Sequence, residues 1–147
     1  MSYTIGFNCE IIIDNTGYYI KPGNYTVKQP RIRQVKYRAD GSLSYTDLGP
    51  GRREWSMTIL AINELKKYDG STISTSGQQY RDALRTSYMS NVGTTVNFID
   101  PLGGTSIPTH FDHYEETIID LHSQIIALAT GGSAGASYEI RITLLEA

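Results

Sequence analysis

The sequence predicts a mainly β domain, an antiparallel sandwich or split barrel with one α-helix packed on it. Three observations predict it. Near the C-terminal end Tyr138, Ile140, Ile142 and Leu144 alternate with Glu139, Arg141 and Thr143, the period of two of a half-buried strand. Trp55, Met57, Ile59 and Ala61 alternate with Ser56, Thr58, Leu60 and Ile62. Only residues 77–89 carry a strong helical pattern. A sheet with one apolar face must bury it against a second layer, and a single helix covers only part of that face.

The elements follow in order. Residues 3–13 read as a β segment, with Tyr3, Ile5 and Phe7 alternating ahead of the run Ile11–Ile13. Asn15-Thr16-Gly17 signals a turn, and Tyr18–Ile20 a short strand closed by Pro22-Gly23-Asn24. Residues 31–38 alternate basic and other side chains. Asp40-Gly41 then predicts a tight hairpin turn into Leu43–Leu48, and Gly49-Pro50-Gly51 a break. Both faces of 55–62 hold apolar residues, so that strand is expected at the centre of a sheet.

The helix begins with a capping box. Ser76 and Gln79, three residues on, can satisfy two backbone donors that the first turn leaves unpaired. Tyr80, Ala83, Leu84 and Tyr88 form its apolar stripe, with Arg81, Asp82 and Arg85 off it. Asn91 to Gly93 ends it. Thr95–Ile99 reads as a strand, and Asp100 to Gly104 as a turn into a partner strand running from Ile107 to about Leu121. Residues 114–129 also show helical spacing at Ile118, Leu121, Ile125 and Leu128. The β-branched pairs Ile118-Ile119 and Ile125-Ile126 favour strand, so an irregular connection is expected after Leu121. Gly131 to Gly135 reads as a flexible loop before the last strand. The count is seven or eight strands in one domain, residues 1–147.

Composition narrows the function. A chain of 147 residues buries a core without staples, and one cysteine, Cys9, excludes an internal disulfide framework. The first residues lack the basic start of a secretory signal, and no apolar run approaches the roughly 20 residues of a membrane span. A soluble protein made in the cytoplasm is expected. The net charge of −2 gives no general reason to bind nucleic acid or an anionic membrane. The charge is unevenly spread. Lys28, Arg31, Arg33, Lys36, Arg38, Arg52 and Arg53 hold seven of the 13 basic residues, and Asp112, Glu115, Glu116 and Asp120 form an acidic counterpart.

The chemical motifs are weak. His110, Asp112 and His113 resemble part of a metal site. On a regular strand His110 and Asp112 share a face and His113 points away, which leaves too few ligands for closed zinc coordination. Cys9 lies in an expected strand and reads as a small buried hydrophobe. There is no G-x-S-x-G elbow, no phosphate-binding loop and no dinucleotide fingerprint. Asn24-Tyr25-Thr26 fits a glycosylation acceptor but reads as chance without a secretory signal. No enzyme, cofactor or small-molecule substrate is expected. The basic run admits three readings: a solvated strand face, a nucleic-acid surface, or a contact that meets the acidic stretch of a neighbouring copy. Head-to-tail contacts of the last kind generate rings.

The order of the segments resembles a known group. Pro22-Gly23-Asn24-Tyr25 leads to Arg31-Ile32-Arg33-Gln34 and the hairpin at Asp40-Gly41. Arg53 to Leu60 follows, then Val96-Asn97-Phe98-Ile99-Asp100 after the helix, and Tyr138 to Ala147. From about Pro22 onward this layout resembles small structural proteins of bacteriophage tails, of the tail-tube and distal-tail (baseplate hub) type. The resemblance implies a non-enzymatic virion protein, made in the host cytoplasm. It implies a ring of copies, commonly six, that contacts other tail proteins and lets DNA pass without sequence preference. It carries over no catalytic residue. Arg31, Arg33, Lys36, Arg38, Asp112, Glu115 and Glu116 are the candidate contacts between copies or with the channel. A β-sandwich that binds carbohydrate or another surface ligand through Tyr18, Tyr19, Tyr25, Tyr37 and Tyr45 is the alternative. Leu145–Ala147 are expected to be held by packing, with a neighbouring copy as one source of cover.

Overall fold

The structure, a computed structural model, describes residues 3–63, 65–102, 104–129 and 136–147, with backbone alone for Ser123, Gln124 and Ala127. The expected Gly131 to Gly135 loop lies outside these residues, as does Gly103 in the turn after Asp100.

Six strands close on themselves. These are β1 (Ile11–Ile13), β2 (Thr16–Ile20), β6 (Glu54–Ala61), β7 (Val96–Ile99), β8 (Ile107–Ile118) and β9 (Tyr138–Glu146). Pairing runs β1–β2–β6–β9–β8–β7 and back to β1, antiparallel throughout. The expected choice between sandwich and split barrel thus resolves to a barrel, with a short seam where Tyr19 meets Leu60 and Ile20 meets Ile59. Beyond that seam a short strand the sequence did not reveal, β3 (Thr26–Lys28), takes over the same edge of β6. The central position expected for β6 holds, since it is paired along both edges.

The barrel is filled by alternation. Trp55, Met57 and Ile59 of β6 face inward with Ile140, Ile142 and Leu144 of β9. Ile11, Ile13, Tyr18 and Phe98 complete the interior. Side chains this buried contribute about 1.5–3 kcal/mol each over leaving them exposed. Helix α1 (Gly77–Ser90) packs Tyr80 and Leu84 onto this core, and the capping box at Ser76 and Gln79 forms as expected. Tyr80 lies against Tyr18, and Tyr88 stacks on Tyr114 of β8.

Several local readings change. Residues 3–10 are turns, not strand: Gly6 takes φ +87°, and the Asn8 carboxamide accepts the Thr4 N–H, which folds the chain back. The turn between β1 and β2 falls on Asp14 and Asn15, both at positive φ, the type I′ geometry that matches strand twist. Thr16 and Gly17 already belong to β2. The expected break at Gly49 comes later, because β5 (Leu43–Pro50) runs on through Pro50 on an edge that needs no N–H there. After β8 the chain forms a second helix, α2 (Leu121–Ala129), where an irregular connection was expected. Its i, i+4, i+7 spacing at Leu121, Ile125 and Leu128 outweighs the β-branched pairs.

The C-terminal residues are held within the chain. Glu146 N–H donates to Arg53 C=O at 2.9 Å, and Ala147 N–H to Pro108 C=O at 3.1 Å. The Glu146 carboxylate takes the Arg53 guanidinium at 2.8 Å. A neighbouring copy is not needed to order them.

Candidate functional site

Two strands stand outside the barrel. β4 (Arg31–Tyr37) and β5 (Leu43–Pro50) pair only with each other. Their root is closed by Gly51 N–H donating to Pro30 C=O at 2.6 Å. At the tip Arg38 N–H donates to Ser42 C=O, Gly41 sits at φ +86°, and Asp40 accepts from the Ser42 N–H and hydroxyl. Those bonds hold the Asp40 carboxyl below its usual range. The tight turn expected at Asp40-Gly41 therefore forms as a three-residue loop, Ala39 to Gly41, in which the Gly41 N–H donates to Arg38 C=O at 3.0 Å.

The hairpin has two unlike faces. Val35 pairs with Tyr45 and Tyr37 with Leu43, so these four project from one face. They are 47%, 57%, 80% and 56% exposed respectively. Gln34, Lys36, Ser44 and Thr46 occupy the other face. An isolated two-stranded hairpin is marginal in water, and here its apolar face has no cover among the described residues.

The basic run is therefore not one surface. Arg31 and Arg33 share the apolar face near the root, while Lys36 points from the opposite face and Arg38 belongs to the tip. Arg31 is engaged by Asp47, whose carboxyl it holds below its usual range. Arg33, Lys36 and Arg38 make no ion pair among the described residues.

The acidic run divides as well. A bulge at Asp112 inserts an extra residue between Phe111 and His113. It resets the alternation, so His113 shares the outer face with His110 instead of pointing away. His110 contacts Thr94 C=O at 3.2 Å and His113 lies 3.4 Å from Glu115. No group of three His, Cys, Asp or Glu is placed to hold a metal among the described residues. Glu116 turns to α1, where Arg81 donates to it at 2.7 and 3.1 Å, and this holds its carboxyl below the usual range. It is a structural group and is taken out of the candidate contacts. Asp112 lies toward the hairpin end of β8. Glu115 stays exposed on the outer face, beside Arg141 in the ladder.

The tyrosines separate equally. Tyr18 and Tyr19 are buried and Tyr25 is half-buried, so of the five candidate tyrosines Tyr37 and Tyr45 alone present rings to solvent. Cys9 is buried, and burial together with Glu10 pushes its thiol up to about 11, which makes it a poor nucleophile at neutral pH.

Sequence reasoning missed the apolar patch, because its four residues lie on two strands and only the register brings them together. It also passed over the end of the barrel opposite the hairpin. There Ile118, Ile119, Leu121, Ile125 and Leu128 are all exposed. No protein-family model matches the chain, and no curated protein matches it closely.

Proposed function

We propose that this protein is a non-enzymatic structural component of a bacteriophage tail or baseplate. In this reading copies form a ring at the tail tube or its distal end, and DNA passes through without sequence preference. The protein is made in the host cytoplasm and works in the virion tail, against copies of itself and other tail proteins. One observation carries the assembly reading: a seven- and eight-residue hairpin that adds nothing to the core yet exposes Val35, Tyr37, Leu43 and Tyr45 together. Contiguous exposed apolar residues mark interaction sites. The layout of segments from Pro22 onward supplies the tail assignment.

Mass photometry and negative-stain microscopy test it, on purified protein and on tail particles carrying it. Closed rings, or density for the protein in the tail, are expected. A monomer at every concentration with no incorporation into tails overturns the reading.

The alternative is a carbohydrate- or surface-binding module. Tyr37 and Tyr45 on one face favour it, since sugar rings stack on exposed aromatics. A glycan array showing no binding removes it.

A further inference from the structure

The barrel has two poles, and the strand registers define them. At one, Glu54 of β6, Leu145 of β9 and His110 of β8 lie side by side, next to the root of the hairpin. At the other, Ala61, Tyr138 and Ile118 lie side by side. The eight residues of β6 separate them by roughly 25 Å. The second pole continues into Ile119 and α2, whose Leu121, Ile125 and Leu128 fall on one helical stripe and are each more than half exposed.

We infer that the apolar face of the β4–β5 hairpin docks on the surface formed by Ile118, Ile119, Leu121, Ile125 and Leu128 of a second copy of this chain. This rests on the assembly reading above and specifies its contact. Two arguments select a second copy as the occupant. The first is charge: Arg33, on the docking face, and Arg38, at the tip, make no ion pair among the described residues, on a chain whose net charge is −2, so the excess of carboxylates lies on the barrel. Glu115 is exposed three residues before Ile118, while the Asp120 carboxylate accepts the Ser137 N–H at 2.9 Å and belongs to the fold. Complementary charge of this kind sets orientation and suppresses wrong partners. The second is position. The hairpin root and the receiving surface belong to opposite poles, so each copy offers one and accepts the other. Such a contact is head-to-tail, and it closes into a ring when the rotation per copy divides a full turn.

Cross-linking between singly substituted chains tests the inference, since native Cys9 is buried. Tyr37→Cys and Leu121→Cys chains are mixed and oxidised. Disulfide dimers should form between the two unlike chains and not within either chain population alone. Tyr37→Ser with Leu43→Ser should weaken self-association by about thirty-fold or more, as loss of a central aromatic anchor does. Circular dichroism should stay unchanged, because neither residue is in the core. Reversing Arg33 and Arg38 to Glu should weaken association, and Glu115→Lys should restore it in part. Dimers of Tyr37→Cys chains with one another would overturn the inference in favour of hairpin against hairpin. Self-association of the unsubstituted chain without the mixed cross-link would overturn the docking surface and leave the assembly reading standing. An unsubstituted chain that stays monomeric and never enters tails overturns both.

Discussion

Arg81 on α1 grips Glu116 on β8 through two hydrogen bonds, Nε to Oε2 at 2.7 Å and Nη2 to Oε1 at 3.1 Å. Tyr114 donates its hydroxyl to the same carboxylate at 3.2 Å, and the Arg81 guanidinium lies 5.5 Å from the centre of the Tyr138 ring. This cluster ties the helix to the two strands beneath it. Arg81 depresses the Glu116 carboxyl, so the folded state binds that proton less readily than the unfolded chain. The stabilisation is full above the ordinary glutamate range near 4.5 and is lost as pH falls through the folded value. Glu116→Gln should cost about 1.5–3 kcal/mol at pH 7, the range for a hydrogen bond to a charged group. Urea melts between pH 7 and pH 3 check both points. The variant should lose less stability on acidification than the parent, and equal acid slopes would refute the assignment.

Gly77 opens α1 where a side chain has no room. A Cβ there would collide with the backbone carbonyls of Ala61 and Ala136, and the Gly77 N–H donates to the Asn63 carboxamide at 2.8 Å. Backbone cannot step aside as a flexible side chain can. Gly77→Ala should destabilise by about 1–3 kcal/mol, the cost of overpacking. Gly104→Ala, at a position open to solvent, should stay within about 0.5 kcal/mol. Thermal melts of the pair give the comparison.

The hairpin is dispensable to the barrel. None of its residues lies in the core, and Pro30 and Gly51 are already hydrogen-bonded across its root. A chain in which residues 31–50 are replaced by a two-residue turn should fold with its melting temperature changed by only a few degrees. The same chain should fail to assemble. Calorimetry and mass photometry on one preparation separate the two effects, and loss of folding would show that the hairpin has a structural role.

The end of β9 is not dispensable. Leu144 is fully buried between Trp55 of β6 and Phe111 of β8 in the ladder. Leu144→Ala should cost about 2–5 kcal/mol. Removing residues 144–147 also deletes the Arg53–Glu146 pair and should leave the chain largely unfolded. Removing Ala147 alone loses one hydrogen bond and should cost about 0.5–1.5 kcal/mol. Denaturant titration of the three variants orders them.

Long, regular alternation was legible in the sequence. β6, β9 and the capped α1 follow from apolar period and capping chemistry, because each signal is carried by neighbouring residues. The short strand β3 was not legible, since three exposed residues make a strand only through the free edge of β6 beside them. Nor was the bulge at Asp112, which depends on the register with β9 and which reverses the side to which His113 points. For the candidate surface, the charges were visible as runs along the chain, but the fold divides them. Arg31 is neutralised by Asp47 and Glu116 by Arg81, both partners at distant positions in sequence. The apolar quartet of the hairpin appears only after its strands are aligned.

The position of β9 also sets the order of folding. It lies between β6 and β8 and pairs with both along most of its length, yet it is the last of the strands in sequence. Until residues 138–146 leave the ribosome, β6 and β8 each have one edge without a partner, and the barrel cannot close. The pairing that completes the core joins residues far apart in sequence, Glu54 with Leu145 at its extreme, so folding is expected to be slow for a domain of this size. A nascent chain stalled before Tyr138 should be protease-sensitive throughout, and one that extends past Ala147 through the exit tunnel should become resistant in a single step.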